Sequence, residues 1–323
     1  MKNQSPLIVI LGPTASGKTH LAVNVASKVD GEIISADSRQ VYKGMTIGTG
    51  KDYEEYQLNT DIAIPYHLID IVEAGEDYHV ARFQKDFQHA YEAILSRAKT
   101  SILCGGSGMY IEAVLRDYQH TQVPVNQELR EQLDQYTFDE LALLFLEKYK
   151  DTYPDADTST KKRLIRAIEV ADFISKNPLE KVNQAPADYI IFGIDIPVKI
   201  RRERITRRLF TRLNAGMIEE VQHLLDKGIP AEKLVFYGLE YKFITEYLMG
   251  SLSYEEMVIR LEIAIHQFAK RQMTFFRSME RKGLSINWLN GMDGVENLTN
   301  QVINTIQKKD TDIPRLNNAS HTN

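Results

Sequence analysis

The chain has 323 residues, 43% hydrophobic and 26% charged, enough for one large α/β core with an insert or for two modest domains. A formal net charge of −5 and a pI near 6.0 exclude a global positive field that gathers nucleic acid, so any such binding needs a local basic patch. One cysteine, Cys104, excludes an internal disulfide and a thiolate zinc cluster. No apolar stretch reaches membrane length and the N-terminus lacks a signal-like region, so a cytoplasmic protein with no membrane partner is expected.

The apolar run Leu7-Ile8-Val9-Ile10-Leu11 predicts a first strand. It leads into Gly12-Pro13-Thr14-Ala15-Ser16-Gly17-Lys18-Thr19, a complete G-x-x-x-x-G-K-[ST] phosphate loop, and residues 20–26 continue as a helix. Glycines in such a loop let consecutive N–H groups face an anion. Lys18 adds a point charge, Thr19 offers a hydroxyl to Mg²⁺, and the helix turns its positive end toward the same place. The loop implies a bound di- or triphosphate. It does not choose between ATP held for phosphoryl transfer and the diphosphate of another substrate held as a leaving group.

Further apolar runs at 32–36, 66–71, 101–104 and 188–195 predict four more parallel strands, with a helix over 80–99 between the third and fourth. In a parallel sheet the end of the second strand puts Asp37 at the carboxyl edge, beside the phosphate loop on the neighbouring strand. A carboxylate there caps the next turn, holds Mg²⁺ through water, or takes a proton as a general base. Spacing leaves these open. The fourth strand carries Cys104, expected as a buried thiol, and ends in Gly105-Gly106-Ser107-Gly108-Met109-Tyr110. Three glycines in four residues serve either close approach of a ligand or a tight strand-to-helix turn.

Between 117 and 186 the character changes to helices at 126–135, 138–150 and 158–176, punctuated by four prolines, and reads as an insert. The core is then 1–116 with 187–307. Helices are predicted at 198–213, 215–227, 238–249 and 253–280, and a polar, disordered tail at 308–323. On the first of these, Arg204, Arg208 and Arg212 share a face beside the apolar stripe Ile205, Leu209 and Leu213. Such a run is either a solvated basic face or a set of guanidinium forks for diphosphate oxygens. Lys161-Lys162-Arg163 with Arg166 forms a second basic patch, inside the insert, and Lys270-Arg271 a third.

Several motifs occur in one order: the phosphate loop at 12–19, Asp37-Ser38 with Val41-Tyr42-Lys43-Gly44-Met45 and Ile47-Gly48-Thr49, and Gly105-Gly106-Ser107-Gly108-Met109-Tyr110. They continue with Arg163-Leu164-Ile165-Arg166-Ala167-Ile168-Glu169, Arg204 with Arg208, and Gln267-Phe268-Ala269-Lys270-Arg271-Gln272 before Thr274 and Arg277. This combination, spanning about residues 6–290, resembles bacterial-type tRNA dimethylallyltransferases. The resemblance implies a P-loop α/β fold with a helical, tRNA-binding insert at 117–186. It implies transfer of a dimethylallyl group from dimethylallyl diphosphate to the exocyclic amine of the adenosine 3′ of the anticodon, with Mg²⁺, by an enzyme expected to be a monomer.

On the family pattern Gly12, Pro13, Thr14, Ala15, Ser16, Gly17, Lys18 and Thr19 hold the diphosphate together with Arg204 and Arg208, and Thr19 helps hold the metal. Asp37 is the base, with Lys18 and Thr19 supporting the departure of the diphosphate. Asp37, Ser38, Arg39, Gln40, Ser107, Arg130, Lys162, Arg163, Leu164, Ile165 and Arg166 line the path of the tRNA anticodon stem-loop, with Gly238 and Lys242. The chain departs from the pattern in the segment Phe236-Tyr237-Gly238-Leu239-Glu240-Tyr241-Lys242, two residues longer than usual between glycine and tyrosine. Phe275 stands where Trp is common, Ser107 where Thr is common, and no C-terminal zinc finger follows. Rival readings are a P-loop nucleotide or metabolite kinase, an isopentenyltransferase acting on free adenine nucleotides, and a non-catalytic tRNA-binding module.

Overall fold

The computed structural model describes residues 5–58, 62–154, 156–177 and 185–312. In chain order these form β1 (Leu7–Leu11), α1 (Lys18–Val29), β2 (Gly31–Ser35), β3 (Tyr66–His67), α2 (Val80–Ser96), β4 (Thr100–Gly105) and α3 (Gly108–Leu115). Helices α4 (Gln127–Asp134), α5 (Phe138–Lys148) and α6 (Lys161–Lys176) follow, then β5 (Tyr189–Asp195). The remainder is α7 (Val198–Asn214), α8 (Met217–Asp226), α9 (Ala231–Phe236), α10 (Leu239–Leu248), α11 (Tyr254–Arg281), β6 (Ile286–Asn290) and α12 (Val295–Asp312).

The strands make one six-stranded parallel sheet in the order β3-β2-β4-β1-β5-β6. Strand β1 is buried along its whole length because both faces of the sheet are covered, which is why it reads as an unbroken apolar run. Its side chains alternate between two cores. Leu7, Val9 and Leu11 join Phe83, Phe87, Ile205, Leu209 and Phe276 on one face, whereas Ile8 and Ile10 meet Leu21, Val25, Leu298 and Val302 on the other.

The chain folds as two compact units: the described residues up to Leu115 and from Pro186 onward, and Arg116–Ala185. The smaller unit packs α4, α5 and α6 around Leu133, Leu141, Phe145, Leu164 and Ile168. Its helices begin on side-chain caps: Asn126, Thr137 with Glu140 in a reciprocal capping box, and Thr160.

Four expectations need correction. The run 66–71 pairs only over Tyr66–His67, because Leu68 and Asp70 take left-handed backbone conformations (φ 63° and 55°) that end the strand. The sheet gains a sixth strand, Ile286–Asn290, which is buried at only two positions and so lacks an apolar run. Helix α12 runs through Asp312, beyond the start of the expected tail at 308. Its Leu298 and Val302 are buried, and Lys309 Nζ is anchored to Asp188 and to the Tyr189 carbonyl (3.1 Å); residues 313–323 of that tail lie outside the described residues. Finally, β2 neighbours β4 and not β1, so one strand stands between Asp37 and the phosphate loop.

Candidate active site

The chain leaves β1 for α1 on one face of the sheet and leaves β4 for α3 on the other, running in opposite directions toward β2 and β5, so the adjacent ends of β1 and β4 part to opposite faces. A sheet of this kind opens a crevice at the carboxyl edge at such a point. There lies a cavity of about 720 Å³. Thr14, Ala15, Gly17, Lys18 and Thr19 line it from the loop after β1, Asp37, Ser38, Arg39 and Gln40 from the loop after β2, and Gly105 and Ser107 from the end of β4. Arg204, Arg207, Arg208 and Arg212 close it from α7, and Gly238, Glu240 and Lys242 from the start of α10. Gly12, Pro13 and Ser16 are the buried root of the phosphate loop.

Local geometry explains the loop. Gly17 caps α1 in a left-handed conformation (φ 84°), which a side chain would strain. Ala15 also has positive φ (60°). At Gly12 an added Cβ would come within 2.6 Å of Ser16 Oγ, so the first glycine serves close packing. Burial lowers the Lys18 pKa from its ordinary value and Arg208 pushes the same way, while Cys104, Asp37 and Glu55 oppose them. Cys104 lies below, a buried thiol whose pKa burial pushes up to about 12.

Asp37 is held by its own turn, Oδ1 accepting the Arg39 N–H at 2.9 Å. Ser107 supports that turn from β4: its N–H donates to the Ala36 carbonyl (3.2 Å) and its Oγ accepts the Ser38 N–H (3.1 Å). Gly105 has no room for a side chain, since a Cβ would lie 2.1 Å from the Ala36 carbonyl oxygen. Gln40 Nε2 donates to the Gly50 carbonyl (2.9 Å), tying this turn to the next loop.

The arginine face of α7 forms one wall. Its apolar stripe Ile205, Leu209 and Leu213 is buried, which turns Arg204, Arg208 and Arg212 toward the cavity. Arg208 and Arg212 both reach Asp52. The loop beneath them is fixed by Glu220 of α8, which accepts the N–H groups of Thr46 (2.7 Å), Ile47 (2.7 Å) and Gly48 (3.0 Å) and the hydroxyl of Tyr241 (2.6 Å). Arg212, expected on one face with Arg204 and Arg208, lines the cavity with them. Two features of this region escape sequence reasoning: Glu220 as the loop's anchor, and the role of Gln272, which the motif carries without one. The side chain of Gln272 joins the Thr14 N–H to the Gly106 carbonyl, at 2.9 Å each.

In the smaller unit Lys162 and Arg163 are exposed at the start of α6. Leu164 and Ile165 are not available to tRNA; the helical period turns both into the core, at 0% and 8% exposure. Arg130 and Arg166 are engaged internally. Both bond to Glu169, whose side chain is 1% exposed, and Arg166 also donates to the Val123 carbonyl (2.7 Å). Burial alone would raise the Glu169 carboxyl, and hydrogen bonds from these two guanidiniums outweigh it and hold the pKa below the usual range.

For a metal, the cavity offers the Thr19 hydroxyl and scattered carboxylates, and among the described residues no three His, Cys, Asp or Glu converge into a cage. Such a sparse oxygen set fits Mg²⁺, which keeps waters and takes phosphate oxygens, and does not fit a closed zinc site.

Residues 40–279 match the family model described as IPP transferase, and residues 5–64 that described as isopentenyl transferase. A tRNA dimethylallyltransferase 2 of Porphyromonas gingivalis is 53% identical over 286 residues, 88% of this chain and 94% of that protein. A tRNA dimethylallyltransferase 2 of Bacteroides fragilis is 50% identical over 296 residues, 92% and 96% of the two chains. Among solved structures, a tRNA delta(2)-isopentenylpyrophosphate transferase of Staphylococcus epidermidis superposes with a TM-score of 0.66 at 30% identity, covering 94% of this chain and 99% of that one. The chain belongs to the tRNA dimethylallyltransferase family, the IPP transferases.

Proposed function

We propose that this enzyme moves a dimethylallyl group from dimethylallyl diphosphate to the exocyclic amine of the adenosine next to the anticodon in tRNA, and that it does so as a single chain in the cytoplasm. The observation that carries this reading is one cavity onto which the phosphate loop, Asp37 and the arginine face of α7 all open. An allylic C–O bond ionises when the charge developing on the departing diphosphate is neutralised. Lys18, Arg204 and Arg208 supply fixed positive charge there, and the N–H groups at the start of α1 supply dipoles. Thr19 would hold Mg²⁺, which adds Lewis-acid charge on the diphosphate oxygens when bound.

The adenine amine is a poor nucleophile because its lone pair is delocalised into the ring. As its nitrogen bonds to the allyl carbon, it sheds a proton that the Asp37 carboxylate accepts. The Arg39 N–H fixes one Asp37 oxygen and leaves the other for this task. Reaching the cavity requires the adenosine to leave its stack. Lys162 and Arg163 supply backbone-directed charge for the tRNA, and Ser38, Arg39, Gln40, Ser107, Gly238 and Lys242 face the entering nucleotide.

The test is mass spectrometry of nucleosides from tRNA incubated with the purified enzyme and dimethylallyl diphosphate, with free adenine nucleotides as competing acceptors. The expected product is dimethylallyl-adenosine in tRNA with release of diphosphate. Prenylation of the free nucleotide alone, or ATP-dependent phosphoryl transfer in its place, would overturn the reading.

A further inference from the structure

The pairing of β1 with β4 ends at Leu11↔Gly105, and beyond it the two chains lead to helices on opposite faces of the sheet. Past that point a side chain ties the two loops together. Gln272 of α11 is 8% exposed and spans the gap, its Oε1 accepting the Thr14 N–H and its Nε2 donating to the Gly106 carbonyl, both at 2.9 Å. An amide offers an acceptor and a donor on one planar end without titrating, and these two partners fix which end is which. The fit is close: a Cβ on Gly106 would lie 2.5 Å from Nε2. One turn along the same helix, Phe275 occupies the space a Gly108 side chain would need, 2.3 Å from the added Cβ.

The two clamped loops belong to different halves of the proposed reaction. Thr14 lies in the loop assigned to the diphosphate. Gly106 precedes Ser107, whose hydroxyl and N–H hold the Ala36–Ser38 turn that carries Asp37. We infer that Gln272 is a positioning residue for prenyl transfer, setting the distance between the leaving-group loop and the base. It borders the cavity, and its amide bonds to the Thr14 N–H and the Gly106 carbonyl, not to Lys18 or Asp37. This rests on the function proposed above.

Misplacing a reacting pair by about 1 Å costs on the order of a hundredfold in rate while each partner still binds. Gln272→Met keeps the volume and removes both hydrogen bonds. It is expected to lower kcat by roughly ten- to a hundredfold, with the directly measured Kd for dimethylallyl diphosphate and for tRNA each changed by less than about threefold. Gly106→Ala, which pushes against Nε2, provides a second route should the methionine variant not fold, and is expected to show the same split. Combining it with Gln272→Ala, which vacates that space, is expected to be no slower than Gln272→Ala alone. Met279→Ala, in the α11 core at 0% exposure, controls for simple destabilisation: a lower Tm with kcat unchanged below the transition. An unchanged kcat in a folded Gln272→Met or Gly106→Ala enzyme, or a loss carried wholly by Kd, overturns the inference. A wild-type enzyme that fails to prenylate tRNA overturns the function itself, a distinguishable result.

Discussion

Arg208 Nη2 lies 2.9 Å from Asp52 Oδ2, and Arg212 reaches the same oxygen at 3.5 Å. Two guanidiniums on the wall assigned to the diphosphate are therefore oriented by one carboxylate, whose side chain is 44% exposed and screened by solvent. Replacing Arg208 by Ala is expected to raise the Kd for dimethylallyl diphosphate by roughly ten- to a hundredfold, the effect of about 1.5–3 kcal/mol from a charged hydrogen bond. Asp52→Asn is expected to act in the opposite direction, tightening binding severalfold at low salt with little change in Tm. Calorimetric titration of both variants at two salt concentrations checks the signs.

The cations of the smaller unit separate into two kinds. Lys162→Ala and Arg163→Ala should weaken tRNA binding and reduce the slope of log K against log salt by about one unit for each tRNA phosphate no longer neutralised, leaving Tm nearly unchanged. Arg130→Ala or Arg166→Ala removes one of the two guanidinium partners of the buried Glu169 and should lower stability by about 1.5–3 kcal/mol, whereas the double variant, which leaves the carboxylate without a cation, should cost about 3–5 kcal/mol. Because the folded pKa of Glu169 lies below its unfolded value, this stabilisation is present above the ordinary carboxylate range and is lost as pH falls through the folded pKa. Thermal melts across an acidic pH series, compared between the wild type and Arg166→Ala, measure the difference.

Cys104 offers a probe of the fold that needs no substrate. With its thiol pushed up to about 12 by burial, the thiolate is scarce at neutral pH and the native protein should resist alkylation, whereas the unfolded chain should label quickly. Rapid stoichiometric labelling of the native enzyme at pH 7 would contradict the burial of β4.

Much of the site is legible in sequence because its parts are local. The phosphate loop is one contiguous segment between a strand and a helix, Asp37 ends a strand, and the arginine face of α7 follows from a period of 3.6 against a buried stripe. What escapes is what the tertiary fold brings together. Gln272 meets Thr14 across 258 positions and Glu220 meets Thr46 across 174, so neither partner marks the other in the sequence. Strand order is equally hidden, and placing β4 between β1 and β2 makes Ser107 the support of the Asp37 turn. Leu164 and Ile165 mislead for a different reason: a motif transferred as a block includes the apolar positions that fold its helix.

Lys18 and Asp37 divide the proposed chemistry, one facing the leaving group and the other taking the amine proton. The most direct measurement is the single-turnover rate of Asp37→Asn with prebound dimethylallyl diphosphate and tRNA, alongside the Kd of each ligand. Loss of a general base predicts a rate at least roughly a hundredfold lower, with both affinities within a few-fold of wild type. A wild-type rate in the bound complex, or a collapse of diphosphate binding that accounts for all of the missing activity, would contradict Asp37 as the base.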